Sequence, residues 1–185
     1  MKFSNLEKKE LLKAWLAISV AFGIVLKGND LGFMQNFILA ALTVGVGFLL
    51  HELAHKIAAQ RYKCWAEFKA FNEMLILAII MSFFGFVLAA PGAVFIRGII
   101  SKEKNGIISA AGPITNIILA LIFYMIMQFS YGYPKIIADY GLMINSWLAL
   151  FNMIPVWNLD GAKVFAWNKI IYFFIVIIAL ILMIL

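Results

Sequence analysis

Charged residues are scarce in this sequence. Asp, Glu, Lys and Arg make up 13% of its 185 residues and 65% are hydrophobic, whereas soluble domains are usually about 25% charged and about 45–50% apolar. This composition excludes a water-soluble globule and a disordered chain. The net charge of +6, on so apolar a chain, does not indicate a nucleic-acid binder. The class that remains is a membrane protein, and its expected partner is the lipid bilayer.

Cysteine and histidine are rarer still. The single cysteine, Cys64, excludes an intramolecular disulfide and a metal site built from several cysteines. The two histidines lie together in the stretch His51-Glu52-Leu53-Ala54-His55.

Long apolar runs dominate the rest of the chain. A membrane-spanning helix needs about 20 mostly apolar residues. Five stretches qualify or come close: 11–26, 33–60, 106–129, 139–155 and 170–185. A sixth run, 74–90, ends in Pro91-Gly92 and a β-prone piece at 93–96, so it is either a full span or a re-entrant element. We expect an all-α bundle of five to six transmembrane helices with a small membrane-associated β or re-entrant element around residues 63–98.

The basic residues orient this bundle. With a cytoplasmic N-terminus and a re-entrant segment at 74–97, 13 of the 15 Lys and Arg residues lie on the cytoplasmic side, and only Lys27 and Lys135 lie outside. That bias follows the positive-inside rule, and a simple crossing at 74–90 would divide the basic residues more evenly. The pattern predicts a multi-pass protein of the cell membrane with its N-terminus in the cytoplasm.

The histidine stretch has the spacing of a metal site. On a helix, His51 and His55 share one face with Cβ atoms about 5–6 Å apart, which lets two imidazoles bind one Zn²⁺. The Glu52 carboxylate can then reach a water bound to the metal without itself being a metal ligand. The alternative is a pair of buried histidines bonded to backbone carbonyls or hydroxyls. His51 follows Phe33 by 18 residues, about 27 Å of helix, so we expect the pair just inside the cytoplasmic edge of the hydrocarbon.

A third ligand must come from elsewhere in the chain. Catalytic zinc sites typically have three protein ligands and an open position, and the sequence has no third histidine. Asp160 follows an apolar span at nearly the depth of His51, about 28 Å from Gly141 if the chain is helical. Pro155 is expected to end the preceding helix, and Gly161 permits a turn that presents the carboxylate inward. The alternative is an ordinary interfacial Asp that caps the last helix.

A further polar element, Gly112-Pro113-Ile114-Thr115-Asn116, lies at the cytoplasmic start of the 106–129 span. Gly-Pro is typical of a helix start, and Asn116 by itself is equally well a packing amide. Together with the histidine stretch and Asp160, this element places the polar side chain of Asn116 at similar depth on a third helix.

Together, three motifs resemble the signature motifs of the site-2 proteases, a family of intramembrane zinc metalloproteases. The motifs are His51-Glu52-Leu53-Ala54-His55, Gly112-Pro113 with Asn116, and Asn152-x-x-Pro155-x-x-x-Leu159-Asp160-Gly161. The resemblance covers roughly residues 33–161. It implies a single integral-membrane metalloprotease domain, residues 1–185, with a catalytic core at about 33–161, similar to a minimal catalytic core of prokaryotic type.

The resemblance also implies roles for individual residues. His51, His55 and Asp160 would bind one Zn²⁺ per chain, and Glu52 would be the general base and acid. Zinc rather than iron, which can use the same ligands, follows from the His₂-carboxylate set together with the family likeness. Asn152 would hydrogen-bond the substrate backbone or the developing oxyanion, and Asn116 is a second candidate for substrate binding.

The expected substrate is a peptide bond within a transmembrane helix of another protein, cut near the cytoplasmic face. That helix must unwind locally, and a strand edge at 63–71 or 93–97 could hold it extended. A zinc transporter or metal sensor with the same ligands is one alternative, although the sequence shows no second ligand set. A non-catalytic scaffold is another, and the presence of Glu52 argues against it.

Overall fold

The computed structural model describes residues 3–28, 30–87 and 91–185, which are mostly helical, as expected, and carry one two-stranded sheet. The helices and strands are α1 (Asn5–Val25), α2 (Phe33–Ala40), α3 (Val46–Arg61), β1 (Trp65–Ala70), α4 (Asn72–Ser82), β2 (Gly92–Arg97), α5 (Lys102–Gln128), α6 (Tyr133–Asn152), α7 (Asp160–Trp167) and α8 (Lys169–Ile184). A π-helical turn, Ala41–Gly45, joins α2 to α3 in one continuous helix.

Three of the described helices are long and apolar enough to cross a membrane: Asn5–Gly28, Phe33–Arg61 and Lys102–Gln128. They coincide with the spans predicted at 11–26, 33–60 and 106–129. The stretches predicted at 139–155 and 170–185 are also helical, as α6 and α8. Neither helix is both long enough and apolar enough to count as a candidate span. The described part of the chain is therefore mostly helical, with three helices that could span a membrane by length and composition.

The sixth apolar run forms a hairpin with a short helix. Its helix α4 has 11 residues, about 16 Å of rise, which is too short to cross roughly 30 Å of hydrocarbon. The strands on either side of it pair antiparallel from Trp65↔Arg97 to Ala70↔Gly92. The two ends of this segment therefore lie side by side. Residues 88–90 of the predicted run lie outside the described residues.

Helix α5 lies at the centre of the bundle and contacts α3, α6, α7 and α8. A core of small and branched side chains, including Ala120, Ala149 and Ile175, joins α5, α6, α7 and α8. The sheet packs against α1 and α3, and Phe68 of β1 meets Phe48 of α3 edge to face, with ring centroids 5.9 Å apart. This arrangement brings the facing surfaces of α3 and α5 together with the start of α7.

A buried ion pair ties the beginning of α1 to α3 and β1. Lys56 and Glu7 are each 1% exposed and form a salt bridge, while the other Glu7 carboxylate oxygen accepts from the Phe68 N–H at 2.9 Å. One helical turn later, Glu10 accepts from the Ala70 N–H at 3.2 Å. The outward-facing N–H groups at these two β1 positions are thereby satisfied by α1 instead of by another strand.

Glu7→Ala should destabilise the protein by about 3–5 kcal/mol, because it leaves the Lys56 ammonium buried without a counter-charge. Glu10→Ala is the matched control. Glu10 also accepts from a β1 N–H, but its salt-bridge partner Lys13 is partly exposed, so the loss should be about 1 kcal/mol. Thermal unfolding in detergent checks both values. Equal losses for the two variants would contradict a special role for the buried pair.

Candidate metal centre

Helix α3 carries the two histidines on one buried face. His51 is 4% exposed and His55 is 8% exposed, and their Nε2 atoms lie 2.9 Å apart. The positions follow from the four-residue spacing, which places both rings on the side of α3 that packs against α5.

The start of α7 brings Asp160 to the same point. Helix α6 ends at Asn152, and the chain turns before α7 begins at Asp160. The Asp160 Oδ2 atom lies 3.3 Å from His51 Nε2 and 3.0 Å from His55 Nε2. Gly161 allows this turn to be tight, because a Cβ at that position would collide with the Met153 carbonyl. The structure thus brings together the three side chains selected from the sequence, although His55 and Asp160 are 105 positions apart in the chain.

Hydrogen bonds fix which nitrogen of each ring faces Asp160. His51 Nδ1 donates to Asn116 Oδ1 at 2.6 Å, and His55 Nδ1 donates to the Ile108 carbonyl at 2.8 Å. Each Nδ1 therefore carries a proton, which leaves Nε2 as the nitrogen that faces the centre and is available to bind a cation. These bonds to α5 are the outer contacts that metal-binding histidines usually make.

The centre is electron-rich and needs a cation. An aspartate carboxyl ionises well below neutral pH, and Asp160 places one of its oxygens against both imidazoles. Two nitrogen lone pairs and a carboxylate oxygen therefore converge within 3.3 Å of one another. Ligands of a tetrahedral zinc, each about 2.0–2.1 Å from the metal, lie roughly 3.3 Å apart. The three atoms fit that pattern, with a fourth position left for water or substrate.

Gly112 keeps space open beside the two nitrogens. A Cβ on this α5 residue would lie within 2.5 Å of both His51 Nε2 and His55 Nε2. A methyl group there would overlap the volume that a cation bound to both nitrogens occupies, since zinc–nitrogen distances are about 2.0–2.1 Å. The expectation that Gly112-Pro113 starts a helix is wrong, because α5 begins at Lys102 and the motif lies inside it, where Gly112 faces the centre.

Glu52 lies next to this centre without belonging to its ligand group. The side chain is buried, and its Oε2 accepts from the Val94 N–H of β2 at 3.0 Å. The position of the Glu52 carboxylate is thus fixed by strand β2 as well as by helix α3, which carries the residue.

The two asparagines selected from the sequence occupy different surroundings. Asn116 is fully buried and bonded to His51. Asn152 lies in the last turn of α6, is partly buried, and donates from Nδ2 to the Leu148 carbonyl at 2.9 Å. Among the hydrogen bonds of the described residues, none joins Asn152 to the three ligand side chains.

Two contributors were not selected from the sequence. Asn145 of α6 accepts from Asn116 Nδ2 at 3.1 Å, and the backbone carbonyl of Ile108 holds His55. A backbone carbonyl carries no signal in the sequence. For Asn145, the available signal was a lone amide in the middle of an apolar stretch.

The fold and this centre define a class: a helical protein with apolar spans that holds a buried His₂-Asp metal site. The chain is 44% identical over 140 residues to "Putative zinc metalloprotease MJ0611" of Methanocaldococcus jannaschii, an alignment that covers 74% of this chain and 73% of that protein. It is 29% identical over 154 residues to "Zinc metalloprotease MJ0392" of the same organism, covering 80% of this chain but 38% of that protein. It is also 29% identical over 148 residues to "Putative zinc metalloprotease YwhC" of Bacillus subtilis, covering 66% of this chain and 65% of that protein. No family model and no solved structure matches the chain.

The chain belongs to the zinc metalloprotease family of these relatives. Zinc is accordingly its cofactor, as predicted, and the buried group of His51, His55 and Asp160 has the donor set that this metal requires.

Proposed function

We propose that this protein is an intramembrane zinc metalloprotease of the site-2 type, which hydrolyses peptide bonds within transmembrane segments of membrane-protein substrates in regulated intramembrane proteolysis. The observation that carries the proposal is the position of His51, Glu52 and His55 on Phe33–Arg61, a helix apolar enough to cross a membrane. Buried polar groups on such a helix are costly unless they serve a site. A metalloprotease with its ligands on this helix has its natural substrate inside or at the edge of the bilayer.

The proposal includes a topology in the cell membrane. The three apolar helices, together with α6 and α8, form five spans, and the α4 hairpin enters and leaves from the cytoplasmic side. The N-terminus is then cytoplasmic and the metal centre lies near the cytoplasmic face, where water can reach it. The excess of Lys and Arg on that side supports this orientation.

In the proposed reaction, Glu52 moves protons while the three ligand side chains hold the cofactor. Zinc, when bound, would act as a Lewis acid that polarises a peptide carbonyl and lowers the pKa of water. Glu52 takes a proton from the attacking water and gives it to the leaving amine, so that water adds across the broken C–N bond. The Val94 N–H orients the Glu52 carboxylate for this task.

We assign the substrate strand to the outer edge of β2, within the segment 93–97. The corresponding edge of β1 is covered by α1, because Glu7 and Glu10 bind its outward N–H groups. On β2 the Val94 N–H is engaged by Glu52, so a substrate strand would have to pair with the neighbouring positions of this edge. Such a strand would run directly past the general base.

We assign substrate contact to Asn152, whose side chain is partly buried at the end of α6 and retains one amide hydrogen beyond its bond to Leu148. Asn116 is not assigned to the substrate, because its oxygen and its nitrogen are engaged by His51, Gly47 and Asn145.

The test is cleavage of a single-span substrate reconstituted with the protein in lipid vesicles. We expect mass spectrometry to map the cut inside the apolar segment of the substrate. A zinc chelator should stop the cleavage and added zinc should restore it. Asp160→Asn replaces an anionic ligand by a weak neutral one, so zinc affinity should fall by more than about 100-fold, the upper range for outer-contact partners, and cleavage should fall with it.

Two results would count against the proposal. Cuts confined to soluble loops would make the protein a metalloprotease without intramembrane specificity. Zinc uptake into protein-containing vesicles without any cleavage, lost in His55→Ala, would indicate the transporter that the ligand set alone also allows.

A further inference from the structure

A buried chain of amide groups runs from α6 to the metal centre. Asn145 Nδ2 donates to the Gly141 carbonyl at 2.9 Å, and Asn145 Oδ1 accepts from Asn116 Nδ2 at 3.1 Å. Asn116 Oδ1 in turn accepts from His51 Nδ1 at 2.6 Å. Asn116 and Asn145 are both 0% exposed, so neither amide can exchange these partners for bulk water.

The direction of this chain is fixed by groups that can act in one way only. Asn116 Nδ2 also donates to the Gly47 carbonyl at 3.2 Å, and a carbonyl can only accept. If the Asn116 amide were turned over, its oxygen would face the carbonyl oxygen of Gly47 and the side-chain oxygen of Asn145, and its NH₂ group would face His51. The Gly141 carbonyl fixes Asn145 by the same reasoning, so its oxygen must point towards Asn116.

The packing is shaped around this contact. A Cβ on Gly47 would overlap the Asn145 oxygen, so α3 lacks a side chain at the point where the amide of α6 approaches. An interhelical bond between polar side chains can serve helix association alone. Here, however, the chain of hydrogen bonds ends on Nδ1 of the metal ligand His51. It can therefore affect metal binding as well as helix association.

We propose that Asn145 is a positioning residue that sets the tautomer of His51 through Asn116. Its oxygen orients the Asn116 amide, which then requires the proton of the His51 ring to reside on Nδ1. The Nε2 lone pair is thereby kept free for the cation. The inference rests on the zinc site of the proposed function, but not on proteolysis.

The chain has only two histidines, so ring-¹⁵N-labelled protein gives NMR signals from this centre alone. In metal-free protein in detergent at alkaline pH, we expect His51 to carry its proton on Nδ1. Asn145→Leu removes the acceptor at similar volume, which should lower the share of that tautomer. Zinc affinity, measured by competition with a chelator, should weaken by about 10–100-fold.

Ser146→Ala is the matched control. Ser146 is the next residue on α6, is equally buried, and makes a hydrogen bond within its own helix, to the Leu142 carbonyl. It should change stability without changing the tautomer or the zinc affinity. Asn145→Asp keeps an acceptor oxygen at the same place, so it should retain the affinity that Asn145→Leu loses.

Three findings would overturn the inference. One is a wild-type His51 with its proton on Nε2, a measurement that needs no variant to fold. Another is an Asn145→Leu protein whose zinc affinity equals that of Ser146→Ala. The third is an equal loss of affinity in Asn145→Asp and Asn145→Leu. Each is independent of whether a substrate is cleaved, so a failed cleavage assay would leave this inference standing.

Discussion

Glu52→Gln lowers the rate of substrate cleavage by about 10²–10⁴-fold, the usual contribution of a general acid–base group, and leaves the zinc content unchanged. The reason is that Glu52 is not one of the three converging ligands, and that a glutamine oxygen can still accept from the Val94 N–H. The variant therefore keeps its local structure and loses only the capacity to take up a proton. Single-turnover cleavage of the reconstituted substrate, with metal analysis of the same preparation, measures both quantities.

Glu10→Gln is the control for this substitution. Glu10 also accepts from a strand N–H, that of Ala70, but it lies on α1 and does not contact the metal ligands. It should cleave at the wild-type rate. A Glu52→Gln protein that cleaves as fast as the control would remove Glu52 from the reaction. If zinc were lost together with activity, Glu52 would instead support the metal site.

Much of the site could be predicted from the sequence, because the positions of its residues depend mainly on spacing along one helix and on distance along an apolar stretch. The spacing of His51 and His55 determines a shared helix face regardless of the remaining fold. Asp160 was found by counting residues along an apolar stretch. The count assumed a helix up to Asp160, whereas α6 ends at Asn152 and a turn carries the chain the rest of the way to the histidines. A small β or re-entrant element was predicted around residues 63–98, with possible strand edges at 63–71 or 93–97. The observed strands are Trp65–Ala70 and Gly92–Arg97, the second of which begins one residue earlier.

The remaining features depend on contacts between distant segments. Helix α1 begins at Asn5, six residues before the predicted apolar stretch 11–26, because Ser4 caps its N-terminus and Glu7 is stabilised by Lys56, 49 positions further on. The contact of Asn145 with Asn116 depends on how α6 packs on α5. Hydrophobic patterns indicate which face of a helix is buried, but they do not specify which polar group on the neighbouring helix it will meet.

Gly112→Ala should abolish zinc binding while the protein remains folded. The added methyl would lie within 2.5 Å of both His51 Nε2 and His55 Nε2, where it overlaps the position of a bound cation. The histidine rings could yield only by breaking their hydrogen bonds to Asn116 and Ile108. Alanine itself favours a helix over glycine by about 1 kcal/mol, so the loss of metal should not come from unfolding of α5. Zinc affinity should fall by more than about 100-fold, beyond the range of an outer-contact change.

Gly28→Ala supplies the comparison, because a Cβ at that position meets no atom within 4 Å. It should bind one zinc per chain and cleave substrate like the wild type. Metal analysis, a chelator titration and thermal unfolding, performed on both variants, separate loss of metal from loss of fold. If Gly112→Ala bound zinc normally, the cation would have to lie away from the side of the imidazoles that faces α5. The three converging atoms of His51, His55 and Asp160 would then hold it from the opposite side, and the role assigned to the Gly112-Pro113 motif would be wrong even though the ligand set remained correct.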